Sequence, residues 1–234
     1  MRKREIEMSE YKYQLHCHTA PCSACSMMSP QELARTLRDS GYSGACITNH
    51  FYNGNSGIDR SLSWEDFVGA YEKDYLECKK YADLFDVDVI FGIEEGVGGG
   101  LEILCYGVTP DMLRAHPELR EKNPRIWYEA LSPLGVLIIQ AHPFRERSYI
   151  TTPGILPLEL IDGFEVYNSE NKPEANQRAK EFAELHGELI LTSGADSHKP
   201  ANLACGGISS PCRISTPEQL TAVLRSGDYK VLYD

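Results

Sequence analysis

The sequence predicts one α/β domain with a largely parallel sheet, and three observations predict it. Short apolar runs alternate with helical stretches from Tyr11 to Gly227. No composition break or low-complexity linker divides the 234 residues, a length at which an α/β barrel is often one domain. The apolar runs also end repeatedly on His, Asp or Glu, and in closed (βα) barrels the reacting groups sit at the C-terminal ends of strands. Roughly six or seven strand-helix units would suit such a barrel, read as a single domain over residues 1–234.

Behind a polar start, Tyr11 to Leu15 is a short strand-like run that leads into Gln14-Leu15-His16-Cys17-His18-Thr19. Side chains alternate along an extended segment, so His16 and His18 point the same way and have a metal-ligand spacing. An isolated His-x-His is as often two surface histidines, and the rest of the chain changes that balance. Ser29-Pro30-Gln31-Glu32 has the form of a helix start, with Ser as N-cap, Pro at the first position and Glu completing a capping box. Leu33, Ala34 and Leu37 recur at helical spacing, and Gly41 stops the helix. Gly44 to Thr48 is a buried-strand run ending on Asn49-His50, and Phe51 to Ser63 is a long loop, which at this length is usually functional or mobile. Ser63-Trp64-Glu65-Asp66 opens a second helix running to about Phe85, with Phe67, Tyr71, Tyr75 and Leu76 assigned to one face.

Val87 to Ile93 is a third strand, followed by Glu94-Glu95 and a Gly-rich turn at 96–100; Glu102 to Tyr106 comes straight after, so Val87 to Val108 can form a hairpin. Weak helical character spans Asp111 to Leu134, broken at Pro117 and Pro124. Gly135 to Gln140 is the clearest buried strand and ends on Ala141-His142-Pro143-Phe144-Arg145. Ile161 to Tyr167 reads as a strand, Pro173 to His186 as a helix, and Leu189 to Thr192 as a strand ending on Ser193-Gly194-Ala195-Asp196-Ser197-His198. Thr216-Pro217-Glu218-Gln219 caps a last helix, closed by Gly227.

Composition excludes several classes. A formal net charge of -11 opposes wrapping a nucleic-acid backbone, which needs a basic surface to replace counterions. A small phosphorylated ligand held by bound cations and a few arginines stays compatible. Eight scattered cysteines and no apolar opening stretch of about 15 to 20 residues point away from a disulfide framework. No segment is apolar for long enough to cross a bilayer. The expectation is a soluble, reduced, cytoplasmic protein; its oligomeric state is not readable.

Together, His16-x-His18, Thr48-Asn49-His50, Gly92-Ile93-Glu94, Gln140-Ala141-His142-Pro143 and Gly194-Ala195-Asp196-Ser197-His198 resemble the PHP family, the polymerase and histidinol phosphatase metal-dependent phosphoesterases. The resemblance runs through most of the chain and rests on the order of motifs that are individually weak. It implies a distorted seven-stranded (βα) TIM-like barrel of the PHP type with two or three metals at its mouth. Carried over by position, His16, His18, Glu94 and Asp196 would hold one ion. Glu94 would bridge to a second with His142, and His50 with His198 would serve a third. Glu102 stands where relatives often place a His or Asp for the second metal. Two departures mark this chain. Relatives often supply a further His or Asp soon after the first motif, whereas Ala20 to Cys25 offers neither, so a cysteine or water has to complete the third site. The second motif commonly reads Thr-Asp-His, and Asn49 replaces its Asp.

Imidazole and carboxylate ligands suit two or three divalent transition-metal ions, with Zn, Mn and Fe open. Two ions roughly 3.5 to 4 Å apart can share a hydroxide and clamp the oxygens of an in-line displacement. Glu94 is the candidate bridge, and Glu95 its alternative. Glu94, His142 and Asp196 are the catalytic candidates for attack by metal-bridging hydroxide on a phosphomonoester, with no covalent intermediate. No Gly-x-Ser-x-Gly motif appears, and the Gly-rich run at 96–100 lacks the ending of a phosphate loop. Arg145, three residues after His142, can grip phosphate oxygens in a bidentate fork, with Arg147 and Lys199 as further candidates. His116 and His186 lie outside every motif and read as structural or exposed. Cys17, Cys46, Cys105 and Cys205 read as small core residues. Two rivals remain open: an amidohydrolase-type barrel, which would usually bring a bridging Lys, and a non-catalytic metal-stabilised binding module.

Overall fold

The computed structural model describes residues 10–233; the polar start and the last residue of the single-domain expectation lie outside them. Among the described residues, nine strands form one sheet. They are β1 (Tyr11–Gln14), β2 (Gly44–Ile47), β3 (Asp88–Gly98), β4 (Leu101–Tyr106), β5 (Leu137–Gln140), β6 (Gly163–Asn168), β7 (Ile190–Gly194), β8 (Gly207–Ser210) and β9 (Lys230–Leu232). Their spatial order is β7-β6-β5-β4-β3-β2-β1-β8-β9. β1, β2 and β3 are mutually parallel, as are β5, β6 and β7, while β4 runs antiparallel between the two groups.

The sheet is nearly closed. Beyond β1 and β7, Cys17 and Ser197 form a parallel bridge, and His18 N donates to Ser197 O at 2.9 Å. Gln14 ties the same seam with its side chain: Oε1 accepts from His16 N and Ala195 N, and Nε2 donates to Leu203 O and Cys205 O. Lower down, Ser193 Oγ donates to Gly207 O, joining β7 to the added β8. The expectation of seven strands is therefore corrected to nine among the described residues. β8 carries one large apolar residue among Gly-Ile-Ser-Ser, and β9 is three residues long, so neither shows the apolar run by which strands were recognised.

Helix starts follow the capping chemistry. In α1 (Pro30–Asp39), Ser29 Oγ accepts from Glu32 N at 3.2 Å and Glu32 Oε2 accepts from Ser29 N at 2.9 Å, the reciprocal pair of a capping box. Ser63 caps α2 (Trp64–Phe85) through Asp66 N. Pro opens α3 (Pro110–Ala115), α4 (Pro124–Leu131), α5 (Pro173–Leu185) and α6 (Pro217–Ser226). Pro117 and Pro124 thus start new helical pieces as well as ending old ones, because a missing N–H is harmless only in a first turn. Leu76 is 53% exposed, so it leaves the buried face of α2, which uses Phe67, Val68, Tyr71, Cys78 and Ala82 instead.

Packing also places the site. Phe51, next to His50, is fully buried and meets Trp64, Phe67 and Tyr71 edge-on at 5.1 to 5.6 Å between centroids. Aromatic contacts of that kind anchor the segment that carries the imidazole. β3 and β4 form the expected hairpin around Gly98–Gly100, all at positive φ, where only glycine turns without strain. Glu94 pairs with Leu104 and Gly96 with Glu102, so strand alternation puts Glu94 and Glu102 on one face as diagonal neighbours.

Candidate metal centre

Strand ends and the β3–β4 hairpin bring all eight ligand candidates together. His16 and His18 follow β1, His50 follows β2, Glu94 lies in β3, Glu102 in β4, His142 follows β5, and Asp196 and His198 follow β7. Glu94 is the hub. Its Oε1 lies 3.1 Å from His16 Nε2 and 3.1 Å from His142 Nε2, while Oε2 lies 2.8 Å from His50 Nδ1 and 3.4 Å from His18 Nε2. Two oxygens of one carboxylate thus face two sets of imidazoles, the arrangement a bridging ligand requires. Glu102 Oε2 is 3.3 Å from His142 Nε2, and Asp196 Oδ1 is 3.4 and 3.2 Å from Nε2 of His16 and His18. The His198 ring stacks on His18 at 4.3 Å.

The outer edges of three rings are occupied, which decides their tautomers. His16 Nδ1 meets Glu165 Oε1 at 2.9 Å, and His198 Nδ1 meets the Asp196 carbonyl at 2.8 Å; both oxygens only accept, so each Nδ1 carries the proton. His18 Nδ1 lies 3.2 Å from Ser23 Oγ. That hydroxyl already donates to Asn49 Oδ1 and accepts from His50 N, so it has a lone pair left for the His18 proton. Each of the three Nε2 lone pairs is thereby left for the centre, as in metal sites whose ligands are oriented from behind.

Metal fits this donor set. Among the described residues, His16 Nε2, His18 Nε2, His50 Nδ1 and Glu94 Oε2 are buried polar atoms without a hydrogen-bond partner, and their residues make up adjoining clusters that share His18, His50 and Glu94. Leaving one such atom unpaired costs about 1 to 3 kcal/mol, so four in one place call for a cation. Electrostatics agree. Burial alone would raise the Glu94 and Asp196 carboxyls, but His16 with His50, and His16 with Arg145, hold them well below the usual range. Burial disfavours a charged His16 or His50, yet Glu165 and Glu94 respectively outweigh it and raise both well above the ordinary imidazole value. His18, buried beside His50, is lowered to about 3. The cluster therefore requires central positive charge, as protons or as metal.

Strain marks the same place. Among the described residues, non-glycine positive φ occurs at His142 (31°), Phe144 (62°), Asp196 (51°) and Asp86 (53°), the first three at or beside the centre. Glu95 is buried too, but alternation turns it away: it accepts from Asn53 N at 2.9 and 3.1 Å, and burial raises it to about 8. His116 and His186 pair with Glu118 and Glu188 away from the cluster.

The three basic candidates separate. Arg145 is buried, with Nη2 2.7 Å from Asp196 Oδ2 and 2.8 Å from Asn168 Oδ1, and Nε donating to Asn171 Oδ1. It also lines the cavity of about 430 Å³ over the ligands. Arg147 donates to the Glu170 carbonyl at the surface. Lys199 lines a neighbouring opening beside Cys25 and His198. Cys22 is buried in the aromatic cluster, whereas Cys25 faces the centre; burial would raise its thiol, but hydrogen bonds with His198 and His50 bring it down to about 6.

Several contributors were not singled out from sequence. Glu165, fully enclosed in β6, accepts from His16 Nδ1, from His142 N at 2.7 Å and from Asn168 Nδ2 at 2.9 Å, so two ligand segments hang on it. A lone acid in the apolar run Phe164-Glu165-Val166-Tyr167 was its signal. Asp74 of α2 accepts from Thr19 Oγ1 and Asn49 Nδ2. That contact explains Asn49: an aspartate there would set two carboxylates face to face. Lys122 and Tyr149 line the cavity mouth and left no local pattern.

No protein-family model and no curated protein matches the sequence. Solved structures do match in fold. A two-domain protein from Bacteroides vulgatus, assigned a PHP-like metal-dependent phosphoesterase, superposes with a TM-score of 0.65 at 15% identity over 96% of this chain and 65% of that one. An amidohydrolase from Chromobacterium violaceum, with bound sulfate and no metal, gives 0.59 at 12% identity over 94% and 98%. A Bifidobacterium adolescentis protein assigned as a metal-dependent phosphoesterase gives 0.55 at 15% identity over 83% and 90%. The chain shares the fold of PHP-type phosphoesterases, a mixed α/β architecture with a barrel-like sheet. Among the described residues, no helix is long and apolar enough to cross a membrane.

Proposed function

We propose that this protein is a metal-dependent phosphoesterase that hydrolyses a small phosphorylated substrate, a phosphomonoester. The observation that carries the reading is the set of unpartnered, buried ligand atoms around Glu94. His16, His18, Glu94 and Asp196 would hold one ion, and Glu94, Glu102 and His142 a second; His50 would serve the second or, with His198, a third. Zinc, manganese and iron suit these donors. When bound, the ions supply Lewis acidity and activate water for hydrolysis.

The chain's own residues prepare that chemistry. Glu165 orients His16 and the His142 backbone, and Arg145 keeps Asp196 ionised and aimed inward. Lys122 and Arg145 bring positive charge to a cavity whose size suits a small ligand, on a chain of net charge -11. The sulfate held by the Chromobacterium neighbour has the same tetrahedral oxyanion chemistry. Eight cysteines scattered through the chain with no framework spacing suit a reducing, cytoplasmic setting. The test compares an aryl phosphate with an aryl amide before and after chelation. Phosphate hydrolysis lost with the metal and restored by it supports the reading. Amide hydrolysis alone would mean an amidohydrolase, and metal binding without either activity a binding module.

A further inference from the structure

The rim of the centre carries a donor that the histidines and carboxylates do not account for. Cys25 sits in a segment held from both sides: Ala24 N donates to Asn55 O at 2.9 Å, Ser26 Oγ donates to His18 O at 2.9 Å, and Met27 N donates to His198 O at 2.9 Å. These bonds tie it to the two ligand-bearing segments and to the loop after His50. Its thiol shares the cavity with His50 and His198 and faces both imidazoles. His198 has its Nδ1 committed to the Asp196 carbonyl, and His50 Nδ1 and His18 Nε2 are buried without partners beside it. Cys22, three residues earlier, is packed among apolar side chains and cannot take this place without unpacking them.

Resting on the phosphoesterase reading, we propose that Cys25 is itself a metal ligand. Its thiolate, with His50 and His198, holds a third divalent ion at the rim and selects a thiophilic one, zinc or iron(II), over magnesium or manganese. Two neutral imidazoles bring no negative charge to a dication, and the thiolate supplies it. On binding, the S–H bond breaks, a sulfur–metal bond forms, and the proton leaves to solvent. Cys25 thereby fills the position for which residues 20–25 offer no His or Asp.

Cobalt(II) titration of the metal-depleted protein tests this, read by sulfur-to-cobalt charge-transfer absorption and by metal stoichiometry rather than by activity. Wild type should develop the sulfur band as its third equivalent binds. Cys25→Ser should lose the band and bind that ion more than about tenfold more weakly, since even outer-shell losses cost 10- to 100-fold. Cys25→His should regain the third ion without the band, and Cys212→Ser, an exposed cysteine elsewhere, should behave as wild type. A band that persists in Cys25→Ser, or three equally tight ions in that variant, overturns the proposal. Two ions taken up by wild type with no band would remove Cys25 alone, whereas no cobalt uptake by any variant would remove the phosphoesterase reading with it.

Discussion

His16 and His18 are fully buried, and each has its Nδ1 committed to a side chain, Glu165 or Ser23. His50 and His198 stand on the rim, with side chains 10% and 25% exposed, near a loop and an exposed cysteine. Inner wall and rim use the same ligand type and share Glu94, whose Oε2 lies 2.8 Å from His50 Nδ1, yet the inner wall adds Asp196, 3.4 and 3.2 Å from His16 and His18, with the buried guanidinium paired to it. Ligand orientation is settled inside before any ion arrives, whereas the rim gains much of its charge balance from what binds. An inner ion is therefore expected to be tight and a rim ion weaker.

Removing the group shared by both regions should have the largest effect. Glu94→Gln takes away the carboxylate facing four imidazoles; at least one ion should be lost and hydrolysis should fall by more than about 10³-fold, several kcal/mol of transition-state stabilisation. Elemental analysis showing full metal content would place the bridge elsewhere. Arg145→Ala strikes only the inner wall. It leaves buried Asp196 without its guanidinium, so the metal-free protein should lose about 3 to 5 kcal/mol of stability in denaturant titration, and metal content should drop. A raised KM with metals intact would instead make Arg145 a grip on substrate phosphate.

Glu165→Gln tests orientation without touching a ligand: inner-ion affinity should weaken about 10- to 100-fold, and unchanged affinity would show that the ring positions do not depend on it. At the rim, stepwise titration should find the last ion bound most weakly and tightened by added phosphate, which contributes oxygens. Equal affinities for all ions without phosphate would erase the contrast between the regions.

A smaller effect concerns pH. In the metal-free protein His16 and His50 are held above their ordinary value of 6.5, so their stabilisation is fully present below that pH and is lost as pH rises through the folded values. His18, lowered to about 3, acts in the opposite sense below pH 6.5. Above it, metal-free protein should lose stability as pH rises, while zinc-loaded protein should gain relative to it because protons no longer compete with the ion. Melting temperatures measured from pH 6.5 to 9 that rise without metal would contradict this balance.

The ligand set was legible because each donor ends an apolar run or follows a glycine turn, and period-two alternation alone pairs His16 with His18. Helix starts at Ser29, Ser63 and Thr216 were legible for a similar reason, since capping is chemistry among residues three apart. β8 and β9 were not, because short strands at a seam depend on neighbours far along the chain, such as Tyr13 of β1 for Ile208 of β8. Local order thus determined by itself the donors, their strand-end positions and the α/β class. Only the tertiary structure decided which oxygen of Glu94 meets which imidazole, that Glu165 and Asp74 stand behind the ligands, that Arg145 holds Asp196, and that Cys25 rather than Cys22 faces the centre. Those are contacts between segments far apart in sequence, 149 residues for His16 and Glu165, made where strand ends converge, and local periodicity carries no information about them.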